Sequence, residues 1–268
     1  MKHFFFLLIA LIILVACTSS IKTNKEDKLN INQGEGQITN PTFYQNKFLN
    51  GIDFFARGNE PNWVLDIDFQ KGINFSTMDD IKIITSSIEK IKSPDTVVTR
   101  YMAHTESEEI IISIIKGSCQ DNMSGELFNY KVKVEVKSFK EKDYKVFNGC
   151  GKYLYDYRLN DIWVMENMTG VELKKEELLK GVPTFEFNLS EMRFSGHAGC
   201  NRLMGKIEVE GSKIKFGNIA ATMMACPDMK VERAVVDALN KKEFNYKIEN
   251  LKLMLENNSV KMIFKKVD

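Results

Sequence analysis

Histidine is nearly missing from this chain. There are three in 268 residues, His3, His104 and His197, and no two of them are close in sequence. The commonest general base is therefore scarce, and no serine, threonine or cysteine stands in a pattern that pairs it with one. An excess of charge is missing as well. Lys and Arg number 37 against 36 Asp and Glu, so no basic stripe exists to follow a phosphate backbone, and no nucleic-acid partner is expected. No Gly-rich phosphate loop precedes a helical segment, and nothing in the chain calls for a cofactor. The longest apolar run, Phe4 to Ala16, falls short of the about 20 residues that a spanning helix needs.

What is present begins at that run. Lys2 followed by a short apolar core has the pattern of a secretory signal. The run ends Leu14-Val15-Ala16-Cys17, which resembles a bacterial lipobox. The resemblance implies a signal peptide over 1–16, cleavage before Cys17, and acylation of Cys17 by fatty acids such as palmitate. The competing reading is an ordinary cleaved signal with an incidental cysteine. Several chains on one cysteine make a stable anchor, because each buried CH2 contributes about 0.8 kcal/mol. Thr18, rather than aspartate, follows the cysteine; by similarity to lipoprotein sorting in enteric bacteria this implies the outer membrane. Residues 17–46 are polar, rich in Asn, Lys, Ser and Gly, and read as a lipidated cysteine followed by a flexible tether.

Two folded halves follow, both mostly strand. In the first, 47–156, Tyr130, Val132, Val134 and Val136 alternate with Lys131, Lys133 and Glu135, the mark of a strand with one wet face. Trp63, Leu65 and Ile67 alternate similarly, with only Val64 spoiling the period. Glu109 to Ile115 reads as a fuller apolar strand, buried on both faces or central. Short strands and turns point to a small antiparallel barrel or sandwich. In the second half, 157–268, strands surround one stretch of helical spacing, Val231, Ala234, Val235, Ala238 and Leu239, opened by Cys226-Pro227-Asp228. The expected class is mainly β or α+β, in two small antiparallel modules.

Ile162-Trp163, Phe194-Ser195-Gly196, Gly199-Cys200-Asn201-Arg202, Phe216-Gly217 and Thr222-Met223-Met224-Ala225-Cys226-Pro227-Asp228, with Glu232 beyond, resemble the META or HslJ-like domain over nearly all of 157–268. His197-Ala198 departs from the glycine or serine of many relatives. The resemblance implies a curved antiparallel sheet packed on one helix, in bacterial envelope proteins linked to heat, antibiotic tolerance or motility, without an established reaction. In the first half, Ala56 to Trp63, Cys119 to Gly125 and Phe147 to Gly151 resemble a lipoprotein domain often fused to META domains.

Besides Cys17 there are Cys119, Cys150, Cys200 and Cys226. Export places them where disulfides persist. Of three pairings, the division into halves selects Cys119–Cys150 and Cys200–Cys226. The alternative is a metal site of His197, Cys200, Cys226 and Asp228, whose spacing matches no recognised clip. Met223-Met224 reads as packing beneath the helix rather than as a soft-metal site. Asp121 reads as a turn cap, and the Ser124-Gly125 and Ser195-Gly196 pairs as turn chemistry. Arg57 to Pro61 reads as a structural turn before a strand, the alternative being a recognition loop. The expected function is a non-enzymatic, membrane-anchored envelope lipoprotein, acting in binding or envelope maintenance under stress, with an envelope protein as a candidate partner. The alternatives are an inhibitor of a periplasmic protease or lysozyme, and a carrier of a small ligand or metal.

Overall fold

The computed structural model describes residues 41–267 except positions 94 and 96. The signal segment, Cys17 and the tether up to residue 40 lie outside the described residues. The first element is already a correction to the tether boundary. Helix α1 (Pro41–Leu49) takes in 41–46, the last residues expected to be tether. The reason is aromatic: Tyr44 is 1% exposed and packs with Phe55, Phe128, Cys150 and Leu154, burial that offsets the ordering entropy of a short helix.

Nine strands then form one antiparallel sheet: β1 (Phe54–Asn59), β2 (Asn62–Asp68), β3 (Gly72–Thr77), β4 (Lys82–Ile84), β5 (Glu89–Ile91), β6 (Val98–His104), β7 (Glu108–Gln120), β8 (Leu127–Ser138) and β9 (Lys145–Tyr153). Their order is β4-β3-β2-β1-β9-β8-β7-β6-β5. The alternation dictates which face turns inward. Tyr130, Val132, Val134 and Val136 join Leu65, Ile67, Phe75, Ile110, Ile112 and Ile114 in one core, so distant strands of the sheet curl around the same interior as a half-barrel. Strand β7, third from the β5 edge, buries Ile110, Ile112 and Ile114 on this face, and Ser113 is buried on the other. The edges β4 and β5 are three residues each, short enough to discourage pairing with another chain.

The second module is β10 (Ile162–Met168), β11 (Thr184–Asn188), β12 (Arg193–His197), β13 (Arg202–Glu210), β14 (Lys213–Ala221), α2 (Lys230–Leu239), β15 (Glu243–Glu249), β16 (Lys252–Glu256) and β17 (Lys261–Lys266). Each strand pairs with the next, and β17 pairs with β10 through Trp163↔Lys266 and Met165↔Phe264, so the expected curved sheet closes into a barrel. Eight strands leave an interior that side chains fill. Here Trp163, Phe185, Phe187, Phe194, Phe216, Phe244 and Phe264 fill it, joined by Val235 and Leu239 of α2. The barrel interior is a packed core.

Between the modules, Tyr130 Oη donates to Glu210 Oε2 at the β13–β14 hairpin (2.8 Å), and Tyr155 bridges to Gly211. Tyr157 packs against both the barrel core and the small core under α1.

Candidate functional site

The turn between β12 and β13 presents Cys200 and Asn201 to the loop that leads from β14 into α2. Cys200 is joined to Cys226 across a Cα separation of 6.3 Å. Asn201 is 1% exposed, and its side chain is fully engaged. Its Oδ1 accepts from Thr222 Oγ1 (2.8 Å) and the Met224 amide (2.7 Å), and its Nδ2 donates to Glu232 Oε1 (2.8 Å). The Asn201 amide donates to Glu232 Oε2 as well. Glu232 is buried in the first turn of α2, so both of its oxygens accept from Asn201 at the start of that helix. One asparagine and one disulfide thus clasp turn, loop and helix together.

This clasp decides the fate of several sequence-level candidates. Cys200 and Cys226 are consumed by their bond. His197 Nδ1 accepts from the Gly199 amide (3.4 Å), and Asp228 faces Lys230. Among the described residues no three His, Cys, Asp or Glu side chains gather to hold a metal, so the His197, Cys200, Cys226 and Asp228 set is not assembled. The Met pair is a correction: Met223 is fully exposed and Met224 is 44% exposed. Asn201 holds the Met224 backbone on the outside, and Val235 and Leu239 already fill the space beneath the helix.

In the first module Cys119 is joined to Cys150 across a Cα separation of 5.5 Å. Beside them lies a buried charged cluster. Arg57 Nε donates to Asp121 Oδ2 (3.1 Å), Arg57 Nη2 donates to Ser124 Oγ and to Glu126 Oε2 (3.3 Å), and Asn59 donates to Asp121. Tyr44 Oη donates to Glu126 (2.7 Å), while the Lys152 ammonium lies 3.5 Å from Glu126 and 3.9 Å from the Tyr44 ring centroid. Burial pushes the Tyr44 hydroxyl pKa up, reinforced by Glu126, and pushes the Lys152 ammonium down, with Glu126 opposing. Burial alone would raise the Asp121 pKa, but hydrogen bonds from Ser124 and Asn59 and the Arg57 charge outweigh it and hold it low. Arg57, Asp121 and Ser124, noted separately in the sequence, therefore meet in an internal brace. His104 ends β6 on the exposed surface, opposite Glu109.

Next to the clasp, on the outside of the barrel, lies a groove of about 340 Å³ lined by Ile162, Lys180, Thr184, Glu186, Ser195, Gly196, His197 and Arg202. Register builds it. Thr184, His197 and Arg202 form one cross-strand row over β11, β12 and β13; Ile162, Glu186 and Ser195 form the next over β10, β11 and β12. Neighbours within a row stand roughly 5 Å apart. Gly196 is required by close approach, since a Cβ there would collide with the Thr184 carbonyl oxygen. Lys180 is drawn in by its amide, which donates to the Gly199 carbonyl (2.9 Å). Burial, and then the Lys180 charge, lower the His197 pKa from its ordinary value. Lys180 and Glu186 were missed in the sequence: neither belongs to a motif, and only strand register and loop closure bring them to His197.

Residues 157–268 match the META domain. The match covers the whole barrel, including the clasp and the groove. Among curated proteins none matches the chain. Two solved structures are similar to it. One is the NMR structure of a protein at 19% identity, covering 40% of this chain and 90% of that one, with a TM-score of 0.34. The other is the NMR structure of a protein from Burkholderia xenovorans at 23% identity, covering 41% and 85%, also with a TM-score of 0.34.

Within the module that matches the META domain the conspicuous motif residues are thus architectural. Cys200, Asn201, Thr222, Cys226 and Glu232 hold the helix to the barrel rim. Ser195 and His197 both line the groove, yet among the described residues Ser195 makes no hydrogen bond that would activate it as a nucleophile. The META domain is not a known enzyme family.

Proposed function

We propose that this chain is an exported, lipid-anchored protein of the bacterial envelope that binds rather than catalyses. The observation that carries the reading is the pairing of cysteines. Of five in the chain, four pair within their own modules as Cys119–Cys150 and Cys200–Cys226. Such staples persist in oxidising compartments, and the fifth, Cys17, is the cysteine of the lipobox-like segment. The META match supports a non-enzymatic envelope role. The anchor places the modules at the outer membrane, where the tether gives them reach toward an envelope partner.

Fractionation of cells grown with labelled palmitate tests this. The native chain should carry label and sediment with membranes, and Cys17→Ser should lose the label and appear soluble in the envelope space or retain its signal. An unlabelled native chain in the cytosolic fraction would refute the reading.

A further inference from the structure

The groove over β11–β13 holds charges of both signs that the protein leaves unanswered. Lys180, Glu186 and Arg202 have no ion-pair partner among the described residues. Some charges elsewhere on the barrel surface find partners, as Lys213 with Glu243 at 3.1 Å and Lys252 with Glu166 at 2.7 Å, and others such as Arg193 and Lys206 do not among the described residues; what sets Lys180, Glu186 and Arg202 apart is that they line one groove. The unanswered charges are also sorted in space. Arg202 lies on the row with His197, and Lys180 is near enough to His197 to depress its protonation. Glu186 lies on the neighbouring row, two strands from Arg202, beside Ile162 and Ser195. The hydroxyls of Thr184 and Ser195 lie between the two ends.

A simple anion in this groove would meet Glu186, and a simple cation would meet Lys180 and Arg202. A molecule with an ammonium at one end and a carboxylate at the other satisfies all three. We propose that the groove is a binding site for a small amino-carboxylate, a free amino acid or short peptide. Its carboxylate sits between Lys180 and Arg202 beside His197, and its ammonium lies against Glu186. Thr184 and Ser195 hydrogen-bond the peptide unit, and exposed Ile162 offers apolar contact to a side chain. The groove's volume falls within the small-molecule range of roughly 300–1,000 Å³. Charge-assisted hydrogen bonds at both ends fix the ligand's direction. The site stands whether or not the chain is acylated, so it fails or survives separately from the anchoring.

Calorimetric titration of the purified full chain with alanyl-alanine, its C-amidated form, its N-acetylated form and inorganic phosphate tests the site. The His197 ring-proton resonance is followed alongside. The dipeptide should bind. Amidation or acetylation should each weaken binding roughly ten- to a hundredfold, and phosphate should not compete. The His197 titration should move upward once a carboxylate sits beside it. Arg202→Gln should weaken the dipeptide by a similar factor. Glu186→Gln should weaken the dipeptide but leave the N-acetylated form unchanged. Both substituted side chains are exposed, so folding is not at stake, and far-UV circular dichroism checks it. Equal binding of the free and amidated dipeptides, displacement by phosphate, or no binding of the dipeptide by folded protein at millimolar concentration would each overturn the proposal.

Discussion

A single buried asparagine carries much of the second module's local order. Asn201 engages Thr222, Met224 and Glu232 together, so its loss leaves a buried carboxylate without its side-chain donor. Asn201→Ala should cost about 2–4 kcal/mol and Thr222→Val about 1 kcal/mol, read from urea unfolding. Equal small effects would mean that the clasp is not cooperative. His197 gives a pH test. Burial and Lys180 depress its folded pKa, with Glu186 and Arg202 the other charges facing the same groove. As pH falls through the ordinary histidine value of about 6.5, the unfolded chain takes up its proton first, so this contribution to stability falls until the lower folded value is passed. His197→Gln should flatten the stability profile over that window; an unchanged slope would assign it to other groups. Much at this scale was readable. Cysteine parity and the division into halves pointed to the two bonded pairs. Asn201 was visible as part of a motif but not as a hub, because its partners lie 21 to 31 positions away. Lys180 and Glu186 carried no signal, since their neighbours are set by strand register.

Strands were legible where one face meets water and the other a core. The lysines and glutamate between Tyr130 and Val136 marked β8, and the helical spacing from Val231 to Leu239 marked α2. Closure of the barrel was not legible, because β10 and β17 are far apart in sequence and nothing in either announces its partner. Helix α1 was lost for another reason. The sequence before it is polar, and what distinguishes it from tether is long-range: Tyr44 and Phe48 on the small core, Phe43 against Phe55 and Lys47 on Asp66. Tyr44→Ala should release α1 and leave Glu126 without its hydroxyl donor. The expected cost is about 3 kcal/mol, with amide exchange over 41–49 rising to the level of an unfolded segment. Protection unchanged there would mean that the helix holds by other contacts. At the rim of the barrel, Cys200→Ala with Cys226→Ala should lower stability by about 3.5 kcal/mol from loop-closure entropy. A cost near zero would make the Asn201 hydrogen bonds sufficient by themselves.

The two modules meet through few but specific contacts. Tyr130 donates to Glu210, Tyr155 bridges to Gly211, and Tyr157 packs against a core on each side. Tyr130→Phe should cost about 1 kcal/mol and begin to separate one calorimetric transition into two; a single unchanged transition would place the coupling elsewhere. At this scale the mainly β class and the division of the cysteines between two modules were legible, and the closure of the barrel was not. The proposal of an anchored envelope protein rests on the lipobox-like start, the paired cysteines and the META match, while the groove emerges only when β11, β12 and β13 stand side by side. The most direct test is the intact mass of the chain isolated from membranes, alkylated without reduction. The account predicts a polypeptide that starts at an acylated Cys17 and takes up no alkylating agent at Cys119, Cys150, Cys200 or Cys226. A chain beginning at Met1 with all its cysteines alkylated would contradict it.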